Sequence, residues 1–369
     1  MRNGWVETTL GQYIHINTGK LDVNAASEFG EYPFFTCSRE TYRINEAAFE
    51  GESVLVAGNG DLNVKYYDGE FNAYQRTYVL NSVDKKILDN RFLFLYMQTY
   101  IEYLRSETRG TVIQYLKKGQ FTDAKIKLPP LPEQKRIVDL ISSVDAYIEA
   151  LQQQLESAKR SRNAVLHELL TAGGDGWLET SLDGIAEYIN GYPFKPADLG
   201  EVGLPVIRIK QLLDPNVPVD RTETDTPDRC LLRDGDIVFS WSGTLAVRIW
   251  NRGPAKLNQH LFRVVEKKGV YKGIIPLILD HAIEELEEKS HGTTMKHITK
   301  QTLLPHKVLL PPLPEQKRIV EIINTVDDVI AHTELTISKG KVLRSGLLSD
   351  LLSGEHEILA SYDKFMGAA

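Results

Sequence analysis

The sequence predicts an α+β protein made of two mixed α/β domains and two long helices, arranged as two copies of one module. Two observations carry this prediction. The first is an eleven-residue run, LPPLPEQKRIV, which occupies Leu128–Val138 and recurs letter for letter at Leu310–Val320, an offset of 182. The second is a heptad spacing of apolar residues after each copy of the run.

Each copy of the run has the chemistry of a helix start. Leu131 precedes a proline and is biased away from the helical region, whereas Pro132 suits the first helical position, where its missing N–H is not needed. The long helices are therefore predicted over Glu133–Leu170 and Glu315–Leu352. At 1.5 Å per residue, each would be about 57 Å long.

The apolar residues after each run follow alternating steps of four and three, which is the spacing of a coiled-coil seam. The first seam reads Ile137, Ile141, Val144, Ile148, Leu151, Leu155, Ala158, Arg162, Val165 and Leu169. At the offset of 182, the second reads Ile319, Ile323, Val326, Ile330, Thr333, Ile337, Gly340, Arg344, Leu347 and Leu351. The arginine in each seam would fix register at some cost in stability. Each helix needs a partner for its apolar face, and its own repeat is the favoured one over two unrelated core helices.

The repeat extends into the globular part that precedes each helix. Gly4-Trp5 is echoed by Gly176-Trp177 at an offset of 172, so the second copy carries ten extra residues, which we expect in loops. Glu52–Gly60 and Asp234–Gly243 are each predicted to be an apolar strand running into a glycine turn. Helices are predicted at 92–105 and 273–288.

These signals divide the chain into five segments. The predicted boundaries are a first globular domain over 1–129, a central helical region over 130–172, a second globular domain over 173–311, a distal helical region over 312–356 and a short tail over 357–369. Thr171–Gly176 is predicted to be a helix stop followed by a flexible link.

Composition describes an ordinary globular protein, with 42% hydrophobic and 25% charged residues. We expect no signal peptide and no membrane-spanning segment. Cys37 and Cys230 fit no metal or redox spacing, which predicts free thiols in a reducing cytoplasm, although a bridge between them stays open. The net charge of −7 argues against sequence-blind binding to polyanions and leaves room for a local basic face.

Motifs for catalysis, metal or cofactor binding do not emerge from the sequence. Gly58-Asn59-Gly60 lacks the later glycine of a dinucleotide loop, and no phosphate-binding loop is present. The Pro129-Pro130 pair follows a leucine, not the Asn or Asp that amino-methyltransferases place there. His291 and His297 have no cysteine or acidic partner at zinc-ligand spacing. The chain is therefore predicted to be a recognition protein without catalytic residues, metal or cofactor of its own.

Base reading requires side chains with paired donors and acceptors, such as arginine for guanine and glutamine or asparagine for adenine. Residues of this kind flank the shared strand ends, and lysines among them would mostly hold phosphates. In the first domain the candidate DNA-binding residues are Asn59, Asn63, Lys65, Tyr74, Gln75, Arg76, Gln114, Lys117 and Lys118. In the second they are Arg208, Lys210, Trp241, Asn258, Gln259, His260, Lys296 and His297.

The duplicated run, the heptad helices, the Gly-Trp starts and the stretches Asp236–Gly243 and Asn258–His260 together resemble the specificity subunit of type I restriction–modification systems. The resemblance covers nearly the whole chain. It implies two target-recognition domains joined by two antiparallel coiled-coil helices in a pseudo-twofold internal repeat. Each domain would read one half of a split DNA site, and the helices would act as a ruler that sets the unread gap.

The resemblance also implies the partners of the chain. Two methyltransferase subunits would dock on the helices and methylate one adenine in each half-site, and an ATP-driven restriction and translocase subunit would cut unmodified double-stranded DNA. S-adenosylmethionine, ATP and Mg²⁺ would be bound by those partners. Two alternatives remain: a structural coiled-coil adaptor without a DNA role, and the recognition arm of a fused restriction–methylation enzyme. The Met1 start and the completed second helix argue against the fused enzyme.

Overall fold

The computed structural model describes residues 4–107, 115–289 and 300–366. The chain forms two compact units, one from residues up to Gln153 together with those from Leu335 onward, and one from Gln154–Glu334. Each unit therefore contains one globular domain and part of both long helices. The five-segment division of the sequence stays a prediction.

The first globular domain is built mainly from short strands. Its elements and the first long helix are β1 (Val6–Thr9), β2 (Ile14–Thr18), β3 (Tyr32–Phe35), β4 (Thr41–Ile44), β5 (Ser53–Ala57), β6 (Val64–Tyr67), β7 (Asn72–Ala73), β8 (Thr77–Ser82), α1 (Asn90–Glu107), α2 (Lys118–Thr122), β9 (Lys125–Leu128) and α3 (Leu131–Thr171). Short 3-10 turns lie at Leu10–Gln12 and Val23–Ala25. An antiparallel sheet has the order β2-β8-β5-β6, a smaller sheet has the order β4-β3-β7, and β1 pairs with β9.

The second globular domain follows the same plan. Its elements and those after it are β10 (Leu178–Ser181), α4 (Leu182–Ile185), β11 (Ala186–Asn190), β12 (Leu204–Ile207), α5 (Ile209–Leu213), β13 (Arg221–Thr222), β14 (Leu231–Leu232), β15 (Ile237–Ser240), β16 (Ala246–Ile249), β17 (Ala255–Leu257), β18 (Leu261–Glu266), α6 (Ile274–Lys289), α7 (Lys300–Leu303), β19 (Lys307–Leu310), α8 (Leu313–Ser353) and α9 (Asp363–Met366). Further 3-10 turns lie at Pro196–Asp198, Asp228–Cys230 and Ala360–Tyr362.

Strand pairing repeats between the two domains. The antiparallel sheet β11-β18-β15-β16 matches β2-β8-β5-β6, and the pair β10 with β19 matches β1 with β9. Each smaller sheet contains one parallel pair, β3 with β7 and β12 with β17. The predicted fold class of two mixed α/β domains joined by long helices is confirmed. The two strands and two helices singled out in the sequence, now β5, β15, α1 and α6, are also present.

Both long helices begin two residues earlier than predicted, at Leu131 and Leu313. The carbonyl of Pro130 accepts the N–H groups of Glu133 at 2.9 Å and Gln134 at 3.1 Å. Pro130 therefore caps the helix, Leu131 takes the first helical position and Pro132 the second. The prediction that Pro132 would come first was wrong by one residue, because no N–H of the first turn needs an acceptor inside the helix and proline is tolerated there too.

Within the first unit, the start of α3 packs against the end of α8. Ile137 and Ile141 are fully buried in one apolar cluster with Leu348 and Leu351. Further along α3, Asp145 pairs with Arg344, which lies earlier in α8 than Leu348, so residue numbers rise along α3 as they fall along α8 and the two segments are antiparallel. Burying one such isoleucine or leucine stabilises the fold by about 1.5–3 kcal/mol.

The second unit contains the equivalent helix pair. Leu166 and Leu170, near the end of α3, share an apolar cluster with Ile319 and Ile323, near the start of α8. All twenty positions of the two predicted seams are buried or half-buried. Leu166, Leu170 and Leu348 are buried in the same clusters but lie outside the predicted seams.

Two further sequence predictions concern thiols and membranes. Cys37 and Cys230 are both free, the first half-buried and the second buried. Over the described ranges, no helix combines the length and the apolar character needed to cross a membrane.

Candidate nucleic-acid interface

A two-residue turn in the first domain holds two of the candidate side chains at its tip. The turn Tyr74–Thr77 joins β7 to β8, and its first carbonyl accepts the N–H of its last residue at 2.8 Å. The Gln75 N–H donates to the carbonyl of Leu21 at 2.9 Å, which ties the turn to the loop after β2. These main-chain bonds leave the side chains of Gln75 and Arg76 exposed.

The second domain has the same turn at Asn258–Leu261, between β17 and β18. Its first carbonyl accepts the N–H of its last residue at 3.0 Å, and the Gln259 N–H donates to the carbonyl of Tyr192 at 3.1 Å. Gln259 and His260 are exposed at the tip. The two domains therefore present different side chains on one main-chain frame.

A glycine supports each turn at an equivalent place. A Cβ at Gly19 would collide with the carbonyl of Ala73, and one at Gly191 would collide with the carbonyl of Leu257. Only glycine allows the backbone after β2 or β11 to approach the turn so closely. Both glycines follow their strand by one residue, so the frame is repeated in sequence as well as in hydrogen bonding.

Arg76 lies where three segments of the first domain meet. The Gly58 N–H donates to the Arg76 carbonyl at 2.8 Å, and the Leu116 N–H donates to the Gly58 carbonyl at 2.6 Å. Asn59 forms a β-bridge with Tyr115, so it lies beside the same site. A cavity of about 320 Å³ opens here, lined by Thr18, Gly58, Gln75, Arg76, Tyr78, Tyr115 and Leu116. Among the described residues, no carboxylate forms an ion pair with Arg76.

In the second domain, an aromatic residue follows β15 at the position where Gly58 follows β5 in the first domain. Trp241 follows β15 and stacks on Phe262 at 5.5 Å between ring centroids, and its ring lies 6.4 Å from that of His260. Asn258 is buried, and its side-chain oxygen accepts the N–H of His260 at 3.3 Å. Asn258 thus supports the turn from within, whereas Gln259 and His260 face outward.

Several other predicted DNA contacts hold parts of their own domain. Asn63 donates to the carbonyl of Cys37 at 2.9 Å, and Lys65 donates to those of Ser38 at 2.9 Å and Glu40 at 3.0 Å. Burial lowers the pKa of Lys65. Both side chains therefore fix the loop after β3 instead of extending freely.

The remaining candidates are spread over the surface. Arg208 is paired with Asp220 at 2.6 Å, whereas Lys210, Lys117 and Lys118 are exposed. Gln114, Lys296 and His297 lie outside the described residues. Of the predicted set, the structure brings together Asn59, Gln75 and Arg76 in one domain and Trp241, Gln259 and His260 in the other.

Sequence reasoning missed a buried glutamine in the repeated run. The Gln134 amide donates to the carbonyls of Ile87 at 2.7 Å and Pro129 at 2.9 Å, and its oxygen accepts the N–H of Asp89 at 2.8 Å. It is fully buried and ties the first turn of α3 to the loop before α1. The identity of this residue in both copies was the available signal.

Gln316 does the same in the second unit. Its amide donates to the carbonyls of Gly269 at 3.2 Å and Pro311 at 2.8 Å, and its oxygen accepts the N–H of Tyr271 at 2.7 Å. Both glutamines bind only main-chain groups. The contact is therefore independent of the side chains that fill either domain.

The carboxylates that partner the two seam arginines were also missed. Arg344 binds Asp145 through Nε and Nη2, both at 2.8 Å, and Arg162 binds Asp327 through Nε at 2.6 Å and Nη2 at 3.0 Å. Asp145 and Asp327 are themselves related by the offset of 182. Each pair joins α3 to α8 within one unit, and two parallel hydrogen bonds give it a defined geometry.

Comparison with known proteins identifies the family. A family model described as "Type I restriction modification DNA specificity domain" matches residues 2–160 and 174–339. Two matches in one chain agree with the duplicated topology. The chain belongs to this family.

Relatives support the same assignment. The chain is 40% identical to the type I restriction enzyme EcoDI specificity subunit of Escherichia coli, over 44% of this chain and 37% of that protein. It is 23% identical to the type I restriction enzyme MjaVIII specificity subunit of Methanocaldococcus jannaschii, over 95% of this chain and 92% of that protein.

Solved structures share the fold. One is the S subunit of a type I restriction–modification system from M. genitalium, with a TM-score of 0.56 and 17% identity over 97% of this chain and 98% of that chain. Another comes from work on complex assembly and conformational transition of the type I R-M system, with a TM-score of 0.64 and 18% identity over 95% of this chain and 98% of that chain.

Proposed function

We propose that this chain is the DNA-recognition subunit of a cytoplasmic type I restriction–modification complex and has no catalytic residues of its own. Each globular domain reads one half of a bipartite site in double-stranded DNA. The observation that carries the proposal is the repeated turn, which presents Gln75 and Arg76 in one domain and Gln259 and His260 in the other. A shared frame with different exposed side chains suits two readers of different sequences.

The partners supply the chemistry. Two methyltransferase subunits dock on α3 and α8 and methylate one adenine in each half-site with S-adenosylmethionine, and restriction and translocase subunits use ATP and Mg²⁺. The net charge of −7 suggests that many phosphate contacts also come from these partners. Affinity for DNA should therefore rise when the methyltransferase subunit binds, and its dependence on salt should become steeper.

The test is single-molecule methylation mapping of DNA from cells that express this chain with its methyltransferase subunit. We expect a bipartite motif with a fixed gap and one modified adenine in each half. The absence of any modified motif, with both subunits shown to be present, would contradict the proposal and favour a structural adaptor.

The long helices are proposed to set the gap. Inserting seven residues into α3 after Gln153 and seven into α8 after Glu334 keeps the heptad phase. We expect the modified motif to keep both half-sites and to change its gap. Insertion into α3 alone, as a comparison, should abolish modification because the seams no longer match. If the motif keeps its original gap after the double insertion, the length of the helices does not set the gap.

A further inference from the structure

We propose that Gln75 and Gln259 each read an adenine in their half-site, and that Arg76 adds a guanine next to it in the first half-site only. The inference rests on the proposed function and deepens it. It assigns the base-reading element of each domain to the tip of the repeated turn, and it predicts which base the two half-sites share.

The main-chain hydrogen bonds that hold each turn do not depend on a glutamine side chain at the tip. Gln75 and Gln259 hold their turns through main-chain N–H groups, at 2.9 Å and 3.1 Å from their acceptors, and both side chains are exposed. Of the four residues in each turn, only the glutamine is the same, because Tyr74, Arg76 and Thr77 are replaced by Asn258, His260 and Leu261. The shared side chain therefore points to a shared feature of what the two turns contact.

An amide suits the major-groove edge of adenine. Adenine presents the N7 acceptor and the N6 donor side by side, and glutamine can bind both at once. The Gln75 amide nitrogen donates to the Asp22 carboxylate at 3.3 Å, which orients the amide and leaves its oxygen and a second N–H available. Methyltransferases take their target base out of the stack, so the adenine read by each turn differs from the modified one.

The neighbouring residue makes the two half-sites different. A guanidinium binds the O6 and N7 acceptors of guanine through two hydrogen bonds, and Arg76 is exposed with no ion-pair partner among the described residues. His260 lacks the two parallel N–H donors of a guanidinium group. The centroid of its ring lies 6.4 Å from that of Trp241. A guanine should thus be required beside the shared adenine in one half-site and not in the other.

The experiment maps modified motifs for the full chain with its methyltransferase subunit and for four variants. Gln75→Ala should accept any base at one adenine of the first half-site, with about tenfold less discrimination, and Gln259→Ala should do so in the second half-site. Arg76→His should remove the requirement for guanine at one position of the first half-site. Gln12→Ala, an exposed glutamine far along the chain from the turn, is the control and should leave the motif unchanged.

Each outcome decides one question. If the unaltered chain yields no bipartite motif, the proposed function fails. If the unaltered chain yields a bipartite motif, and neither Gln75→Ala nor Gln259→Ala removes the requirement for adenine at any position of it, the inference fails while the proposed function stands. If a variant abolishes modification, binding of the assembled complex is measured on duplexes carrying each base at the adenines of that half-site. Base preferences equal to those of the unaltered complex would overturn the inference.

Discussion

At the scale of single residues, one tightly held side chain is the buried glutamine at the start of each long helix. Gln134 makes three hydrogen bonds to main-chain groups and is completely inaccessible to solvent. Its loss would remove the partner of two carbonyls and one N–H, of which the Pro129 carbonyl is buried and the other two groups are partly buried. A buried polar group left unsatisfied costs about 1–3 kcal/mol.

Gln134→Ala should therefore lower the free energy of unfolding by at least about 2 kcal/mol. Gln134→Glu should be no better, because an ionised carboxylate cannot donate to the carbonyls of Ile87 and Pro129. Urea unfolding monitored by circular dichroism measures the change, with the exposed Gln12→Ala as control. If the free energy of unfolding falls no more than in the control, the three hydrogen bonds of Gln134 contribute nothing to stability.

A second residue of interest is Asp280 on α6. Burial raises the pKa of its carboxyl group to about 6, although the nearby Arg162 and Arg248 act in the opposite direction. The folded state then holds a proton that the unfolded state releases near its ordinary pKa of 3.8. Stability is therefore lost as pH rises from about 4 to 6, and the penalty is complete above pH 6.

Asp280→Asn should remove that penalty. We expect the variant to be more stable than the unaltered chain at pH 8, by at most about 3 kcal/mol, and the difference should disappear as pH falls toward 4. Unfolding free energies measured across this range test the prediction. A difference that does not depend on pH would mean that Asp280 is not the titrating group.

At the scale of elements, the helix pairs are joined by equivalent ion pairs. Arg344 is largely buried, whereas Asp145 is about half exposed, with 17% and 48% of their side chains accessible. Exposed pairs contribute little, but a bidentate arginine–carboxylate contact fixes geometry as well as energy. The pairs should matter more for helix register than for total stability.

Exchanging the two charges tests this role. Asp145→Arg alone places two guanidinium groups together and should destabilise the unit, whereas Asp145→Arg with Arg344→Asp should recover about 1 kcal/mol of that loss. A double-mutant cycle by thermal unfolding measures the coupling, and Glu149→Arg at an exposed position of α3 serves as a charge-matched control. A coupling of zero would contradict a direct interaction.

The elements also show what sequence reasoning can and cannot reach. Every predicted seam position is buried or half-buried because burial on a helix follows a local period, whereas Leu166, Leu170 and Leu348 are buried outside the predicted seams. Asp145 escaped notice because it lies outside the seam, and its partner is defined only by how two distant segments align. Asn258 was predicted to contact DNA and is buried, since residue type alone does not tell which turn positions face outward. Gln134 was visible as a repeated letter, but its acceptor at Ile87 is supplied by a distant loop.

At the scale of the whole molecule, main-chain hydrogen bonds are one part of the attachment of each domain to its helix, beside apolar packing and side-chain contacts such as Trp5 with Glu133. Gln134 and Gln316 bind only backbone groups of the domain that precedes each helix. A foreign domain of the same fold should offer the same main-chain carbonyl and N–H groups to these glutamines, even if its side chains differ. Replacement of one domain should thus leave the helices and the other domain intact.

Exchange of residues 1–127 for the equivalent part of another family member should therefore change one half of the modified motif and keep the other half and the gap. Methylation mapping of DNA from cells expressing the chimaera with its methyltransferase subunit measures the result. A change in both halves would contradict independent readers, and an unchanged motif would contradict a reading role for the first domain.

The two ion pairs have one more consequence. Each long helix carries both an aspartate and an arginine, so α3 contributes Asp145 and Arg162, and α8 contributes the matching Asp327 and Arg344. Each helix therefore bears both members of an aspartate–arginine pair, which is the arrangement that a self-complementary contact requires. We therefore expect a single half of this chain to carry both charged groups that an equivalent contact with a second copy of itself would use.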